Sequence, residues 1–174
     1  MTGQTIGPYR VLREVGKGGM GAVYEAIHPQ IERKVAIKVL HPEYAVNQSV
    51  VQRFFNEARA VNIVNHPSVV QISEFGQQPD GTAYIVMEFL EGESLGARMK
   101  RFGGKLSIAD TLRLTRQVAA ALAAAHAKNI VHRDAYVISK VCFHVGHLGP
   151  QRRRNKPCPR TIPAAASLAR TSLW

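Results

Sequence analysis

The last forty residues of this 174-residue chain contain no aspartate and no glutamate. All 12 acidic residues lie at or before Asp134, whereas seven of the 23 lysines and arginines lie after it. The formal net charge of +11 is therefore concentrated in the tail. A basic charge confined to one terminal segment does not by itself indicate a nucleic-acid-binding protein.

Cysteines and long apolar runs are also scarce. The two cysteines, Cys142 and Cys158, both lie in the tail, which excludes a disulfide framework for the first 134 residues and favours a reducing compartment. The first ten residues lack the basic and apolar stretches of a secretory signal. The longest apolar run, 118–125, is too short to cross a bilayer. We therefore expect a cytoplasmic protein with no membrane segment in this chain.

A glycine-rich stretch at residues 15–23, VGKGGMGAV, organises the rest of the sequence. Gly16, Gly18 and Gly21 fit the spacing GxGxxGxV. Residues without a Cβ let backbone amides approach a polyanion closely, which favours a nucleoside triphosphate as the ligand. Dinucleotide-binding folds use the same spacing at a strand-to-helix turn, but the β-rich run at 22–27 favours a hairpin between two strands.

A third β-rich run, residues 34–40, contains the segment VAIK, which ends at Lys38. Val35, Ile37 and Val39 alternate with Ala36 and Lys38, so the two sets are expected on opposite faces of the strand. Ala36 is small enough to leave room for a flat base. Lys38, on the same face, can reach the α and β phosphates of a nucleotide.

The pattern becomes helical from about Ser49, with apolar residues at helical spacing up to residue 61. Glu57 lies beside this apolar stripe, and a solvated surface position is the ordinary interpretation of a helical glutamate. His28 and His41 each precede a proline that ends a strand-like run. We interpret both histidines as turn or surface residues rather than ligands.

Four motifs in this order, GxGxxGxV, VAIK, Glu57 in the following helix and His132-Arg133-Asp134, resemble the protein kinase family, nearest to bacterial serine/threonine kinases. The resemblance covers about residues 8–134. It implies an α+β, protein kinase-like fold with a complete five-stranded antiparallel N-lobe carrying one helix, and a truncated helical C-lobe. It also implies ATP as a ligand, Mg²⁺ as the family's cation and phosphoryl transfer to protein hydroxyls.

Domain boundaries follow from this resemblance. They are a leader at residues 1–8, an N-lobe at 9–88, a hinge with a partial C-lobe at 89–134, and an atypical basic tail at 135–174. A complete kinase domain would need about 250 residues, so the C-lobe is expected to be incomplete. Strands are expected at 9–15, 22–27, 34–40, 69–75 and 82–88, and helices from about 49 to 64, at 94–101 and at 107–128.

The resemblance also implies roles for particular residues. Glu57 would pair with Lys38 and hold its ammonium over the phosphates, and Asp134 would accept the proton of the substrate hydroxyl. Met87 would guard the back of the pocket, while the backbones of Glu88 and Leu90 would hydrogen-bond the adenine edge. The rest of the implied nucleotide-binding set is Val15, Gly16, Lys17, Gly18, Gly19, Gly21, Val23 and Ala36.

The sequence departs from the family pattern after Asp134. Tyr136 stands where the family has a lysine, Ser139 stands where it has a metal-binding asparagine, and the motifs DFG and APE do not occur. Because Mg²⁺ prefers carboxylate oxygens, we assign no metal ligand and expect impaired phosphoryl transfer. The Arg-, Ala- and Pro-rich tail suggests a frame disruption just after Asp134, a hypothesis that sequencing of the locus tests.

The tail and the whole chain also allow other interpretations. The tail residues Cys142, His144, His147 and Cys158 do not match a common zinc-finger spacing. The arginine run at 152–154 lacks interleaved aromatics, so a charged segment is favoured over a nucleic-acid site. The whole chain could instead be a non-catalytic binding or scaffold module for a protein partner. It could also fold poorly, because the apolar side of residues 107–125 lacks covering helices.

Overall fold

The computed structural model describes residues 1–130. Within them, six strands form one antiparallel sheet in the spatial order β1-β2-β3-β4-β6-β5. The strands are β1 (Thr5–Ile6), β2 (Tyr9–Lys17), β3 (Gly21–His28), β4 (Arg33–Leu40), β5 (Ile72–Gln77) and β6 (Ala83–Glu88). The helices are α1 (Pro42–Ala45), α2 (Gln48–Val64), α3 (Leu95–Arg101) and α4 (Ile108–His126).

The sheet has one strand more than the five expected. Strand β1 turns at Gly7, whose φ is +54°, and its Ile6 pairs with Tyr9 of β2. Ile6 is 1% exposed, so a segment expected to be a polar leader contributes to the core. A strand of two residues is too short to carry a recognisable alternation, which is why the sequence did not reveal it.

The N-lobe also contains two helices instead of one. Pro42 begins α1, because the first turn of a helix tolerates a residue without an N–H. Strand β5 begins at Ile72 rather than at residue 69. Val69 and Val70 are buried in the preceding turn, so their apolar character reflects core burial and not strand pairing.

Two apolar cores lie on opposite faces of the sheet. Val35, Ile37 and Val39 of β4 join the outer core, whereas Ala36 joins the inner core, as the alternation predicts. Helix α2 packs on the inner face through its buried residues Val51, Phe54, Phe55, Ala58, Val61 and Val64. The helical interpretation of residues 49–64 is thus confirmed, and Asn65 ends α2 in a left-handed conformation with φ of 38°.

The outer core is closed by a polar cluster that joins distant strands. The Tyr9 hydroxyl donates to Glu74 Oε2 at 3.3 Å, and the Tyr84 hydroxyl donates to Glu74 Oε1 at 3.2 Å. At the same side, the Gln78 side-chain amide donates to the Thr5 carbonyl at 3.2 Å. The Gln78 bond joins β1 to the residue after β5, and the Tyr9 bond joins β2 to β5. The sheet is therefore rolled, and its two edge strands lie close to each other.

Helices α3 and α4 follow the segment after β6, and a serine caps the start of each. Ser94 and Ser107 accept hydrogen bonds from Ala97 and Asp110 N–H, respectively. Ala121 and Ala125 of α4 are buried in the inner core, while Ile108 and Leu112 at its start are 81% and 66% exposed. None of the helices within residues 1–130 combines the length and apolar character of a membrane span.

Candidate functional site

The glycine-rich stretch forms the hairpin between β2 and β3. Gly16 is paired with Val23 and Lys17 with Ala22, so the chain turns within residues 18–21. The Gly18 N–H donates to the Gly21 carbonyl at 2.8 Å and closes the turn. This geometry is the strand-to-strand hairpin that the sequence favours, not the strand-to-helix turn of a dinucleotide-binding fold.

Gly21 has no space for a side chain. It is paired with Leu40, and a Cβ on Gly21 would lie 2.2 Å from the carbonyl oxygen of Val39. A separation this short is not tolerated between a carbon and a backbone oxygen. The last glycine of the motif is therefore required by the contact between β3 and β4, in addition to any role near a ligand.

Four residues of the predicted nucleotide-binding set lie in one buried cluster. Val15 is 7% exposed, Val23 and Ala36 are 0% exposed, and Met87 is 3% exposed. They come from β2, β3, β4 and β6, respectively, and they share the inner face of the sheet with α2. The residues thus supply an apolar surface of the kind that a planar base requires.

Lys38 lies on the same face and is almost entirely buried. Its Nζ is 3.6 Å from Glu57 Oε2 and 5.4 Å from the centre of the Phe54 ring. Burial lowers the pKa of Lys38, and the negative charge of Glu57 opposes this effect. Because Glu57 and Phe54 both belong to α2, contacts with this helix fix the position of the Lys38 ammonium group.

The segment that follows β6 carries the remaining predicted contacts. The Glu88 N–H donates to the Gln71 carbonyl at 3.0 Å, which attaches the end of β6 to the start of β5. Leu90 and Phe89 are partly buried against the inner core, as is Leu122 of α4. The structure therefore places Met87, Glu88 and Leu90 along the line where the sheet meets the helices.

The structure also reveals site residues that sequence reasoning did not identify. His41, interpreted from its Pro42 neighbour as a turn or surface residue, directs its ring at the glycine hairpin, with Nε2 3.1 Å from the Gly18 carbonyl oxygen. Met20, at the tip of the hairpin, is only 5% exposed and belongs to the inner core. A signal for His41 was present, because equal lengths of β3 and β4 bring the residue after Leu40 beside the loop.

A second buried charge lies farther along the same hairpin. Glu25 on β3 is 6% exposed, and its carboxylate forms ion pairs with Arg13 of β2 and with Lys34 of β4, the latter at 3.7 Å. Glu25 is paired across the sheet with Arg13 and Ala36. The alternation of β3 places Glu25 on the face of Val23, but nothing in the sequence marks it as buried.

Asp134, the predicted base, lies outside the described residues together with His132 and Arg133. Within residues 1–130, no three His, Cys, Asp or Glu side chains converge as metal ligands. The described residues offer an apolar cluster, a buried lysine and a glycine turn, which are features that suit the base and phosphates of a nucleotide. They do not by themselves fit a magnesium ion, which needs carboxylate oxygens.

Comparisons with known proteins agree with this geometry. A protein kinase domain model matches residues 9–135. The chain is 42% identical over 134 residues to the serine/threonine-protein kinase Pkn1 of Myxococcus xanthus and 41% identical over 132 residues to PknA of Mycobacterium tuberculosis. The crystal structure of the Mycobacterium tuberculosis PknI kinase domain superposes with a TM-score of 0.64 at 30% identity.

These matches cover most of this chain but a smaller share of each relative. They cover 77%, 74% and 79% of this chain, respectively. The chain spans only 19% of Pkn1, 30% of PknA and 56% of the crystallised PknI chain. Since the domain model matches more than half of the sequence and the fold agrees, the chain belongs to the protein kinase family.

Proposed function

We propose that this chain binds ATP beneath the β2–β3 hairpin and represents a bacterial-type serine/threonine protein kinase. The observation that carries the proposal is the buried Lys38, held 3.6 Å from Glu57 on the face that also bears Val15, Val23 and Ala36. A buried ammonium is costly unless a negative partner compensates it. Glu57 opposes the lowering of the Lys38 pKa that burial causes, and nucleotide phosphates would add negative charge beside the same ammonium.

In this proposal each group has a defined task. Lys38 binds the α and β phosphates, Glu57 orients Lys38, and the backbone of the glycine turn covers the phosphates. Val15, Val23, Ala36 and Met87 enclose the base, and the backbones of Glu88 and Leu90 hydrogen-bond its edge. Lys17 and Gly19 contribute backbone to the same cover.

The proposed reaction is that of the family. A protein hydroxyl oxygen bonds to the γ-phosphorus, the bond from that phosphorus to the β,γ-bridging oxygen breaks, and ADP leaves. The hydroxyl proton passes to Asp134. We propose that this transfer is impaired, because Tyr136 and Ser139 replace the expected lysine and asparagine and residues 135–174 contain no aspartate or glutamate.

The domain boundaries remain part of the proposal. We place the N-lobe at residues 9–88, extended by β1 at Thr5–Ile6, and the hinge with part of the C-lobe at 89–134. Residues 135–174 form the basic tail.

Thermal unfolding with ATP tests the proposal and uses Lys38→Met as the variant. We expect ATP to raise the Tm of the wild-type chain, and to raise the Tm of Lys38→Met by a smaller amount at the same ATP concentration. Loss of a charge-assisted bond to phosphate should weaken affinity by about tenfold or more. Without nucleotide, Lys38→Met should remain folded, because a buried ammonium is exchanged for an apolar side chain.

Lys34→Met is the matched control, since Lys34 lies on the same strand but its side chain is 53% exposed. It should bind ATP like the wild type. Equal ATP responses of Lys38→Met and wild type would contradict the proposal. Repeating the measurement with and without Mg²⁺ separates the two functional classes: a magnesium-dependent shift supports retained kinase machinery, and a metal-independent shift or none supports the binding or scaffold module.

A further inference from the structure

The glycine turn is attached to the body of the domain by a residue outside the motif. His41 Nε2 lies 3.1 Å from the Gly18 carbonyl oxygen, and the His41 backbone N–H donates to the Met20 carbonyl at 3.0 Å. The turn itself is closed by the bond from Gly18 N–H to Gly21. Two of these three hydrogen bonds therefore come from a single residue, His41.

The position of His41 follows from the strand register. Gly21 is paired with Leu40, so the residue after Leu40 lies next to the turn whatever its identity. Its backbone bond to Met20 is available to any residue except proline. The bond to Gly18 depends on the ring, so histidine at this position adds a contact that the register alone does not provide.

The His41 ring does not cap the helix that begins after it. His41 is the N-cap residue of α1, where a side chain commonly accepts from the first N–H groups of the helix, but the His41 side chain makes no such bond. It is directed instead to the carbonyl of Gly18. Since a carbonyl oxygen can only accept, Nε2 is the donor, and both the neutral Nε2–H tautomer and the imidazolium satisfy the contact.

The turn needs such a contact because of its composition. Gly18, Gly19 and Gly21 carry no side chain, and glycine loses more conformational freedom on ordering than any other residue. Met20 is the one side chain in the turn, and it is buried in the inner core. His41 and Met20 thus hold the turn from two sides.

We propose that His41 is a positioning residue for the nucleotide: its imidazole orders the turn at residues 18–21 before the phosphates arrive. An ordered turn binds more tightly than a mobile one because less conformational entropy is lost on binding. The proposal deepens the proposed ATP site and depends on it for the effect on affinity. The ordering of the turn itself does not depend on ATP.

Amide hydrogen exchange of the full chain without nucleotide tests the ordering. In His41→Leu, exchange of the Gly18 amide should become faster by about 3- to 10-fold, the range expected for loss of one hydrogen bond. His41→Gln, whose side-chain amide can still donate, should restore slow exchange. Amides of α2 serve as the internal reference, and His66→Leu controls for the loss of a histidine elsewhere in the chain.

ATP affinity of the same variants tests the consequence. We expect the dissociation constant to rise by about 3- to 10-fold in His41→Leu and to remain near the wild-type value in His41→Gln and His66→Leu. Unchanged Gly18 exchange in His41→Leu would overturn the proposal, as would tighter ATP binding by that variant. If His41→Leu also accelerates exchange in α2, His41→Gln is compared with the wild type instead. Slow exchange of the Gly18 amide in His41→Gln supports the contact, and fast exchange refutes it.

The two proposals fail in different ways. Faster Gly18 exchange in His41→Leu, with no ATP binding by any form of the protein, would contradict the proposed ATP site and retain the ordering role of His41. Normal ATP binding with unchanged exchange would retain the ATP site and refute the role of His41.

Discussion

At the scale of single residues, the site is marked by the burial of charge. Glu25 and Lys38 are the buried charged residues in the described part of the chain, and both lie on the inner face of the β3–β4 pair. Glu25 has two cationic neighbours on adjacent strands, whereas Lys38 draws its negative partner from a helix. A change in the position of α2 would therefore alter Lys38 more than Glu25.

The pH dependence of ATP binding should report on this arrangement. Only the charged form of Lys38 binds phosphate, so affinity should fall as pH rises through the pKa of Lys38, which burial lowers from 10.5. Glu57→Gln removes the group that opposes this lowering, so the fall should occur at lower pH in the variant. The measurement is ATP affinity against pH by calorimetry, with Glu43→Gln on α1 as the control. Superimposed pH profiles would contradict the role of Glu57.

The lowered pKa of Lys38 also has a consequence for the pH dependence of stability. Between the lowered pKa of folded Lys38 and 10.5, the unfolded chain binds more protons than the folded chain at this position. The contribution of Lys38 to stability therefore rises with pH in that window.

Gly21 gives a prediction that concerns space instead of charge. Gly21→Ala should lower the free energy of unfolding by about 1–3 kcal/mol, because the new Cβ meets the Val39 carbonyl and the strands must separate. Gly96→Ala is the control, since Gly96 lies within α3 and has open space around it. That change should stabilise the chain by up to about 1 kcal/mol. Urea unfolding of both variants checks the pair, and equal effects would refute the steric argument.

At the scale of elements, the helix starts depend on local side-chain signals. Ser107 accepts from the Asp110 N–H at 3.0 Å, and Ser94 accepts from the Ala97 N–H at 3.1 Å. Arg98 of α3 then pairs with Glu93 before it and with Asp110 of α4. An ion pair between Arg98 and Asp110 thus joins α3 to the first turn of α4.

Removal of the cap on α4 should have a defined cost. Ser107→Ala leaves the Asp110 N–H without its acceptor and should lower the free energy of unfolding by about 0.5–2 kcal/mol. Ser107→Asp keeps an acceptor and places a negative charge at the positive end of the helix, so it should restore stability. Chemical unfolding followed by circular dichroism distinguishes these outcomes. A Ser107→Asp variant as unstable as Ser107→Ala would argue against capping.

The elements most accurately predicted from sequence are those whose signals are local. The alternation of β4 and the apolar stripe of α2 both depend on neighbours within a few residues. The turn between β5 and β6 is equally local, since Gly81 has φ of +87° and its N–H donates to the Gln78 carbonyl.

What the sequence did not reveal depends on contacts between distant segments. Strand β1 owes its order to burial of Ile6 in the outer core, and its two residues carry no pattern of their own. His41 reaches Gly18, 23 positions earlier, through the register of β3 with β4. The Lys38–Glu57 pair was expected because the kinase resemblance supplied the spatial relation that composition and periodicity lack.

At the scale of the whole molecule, the sheet is closed by the cluster of Tyr9, Glu74 and Tyr84. Burial raises the pKa of both tyrosines, and the negative charge of Glu74 raises them further. Since the folded-state pKa values exceed the ordinary value of 10.0, the folded chain retains these protons longer than the unfolded chain. Their contribution to stability is complete below about pH 10 and is lost as pH rises through the folded values.

Replacement of the shared carboxylate should change this titration. Glu74→Gln keeps an acceptor for the hydroxyl groups but removes the charge, so tyrosinate should appear at lower pH than in the wild type. Ultraviolet absorbance against pH measures the shift. Glu91→Gln, at a residue exposed to solvent, is the control and should titrate like the wild type. If Glu74→Gln also matched the wild type, the electrostatic link within the cluster would be refuted.

The rolled sheet also limits how copies of this domain can meet. An open sheet edge offers unpaired N–H and C=O groups on which a strand from another molecule can extend the ladder. Here one edge strand, β1, has two residues, and the Thr5 carbonyl already accepts from Gln78. The other edge strand, β5, has an irregular register between Ile72 and Glu74. Both edges of the sheet in residues 1–130 are therefore poor templates for strand addition by another molecule.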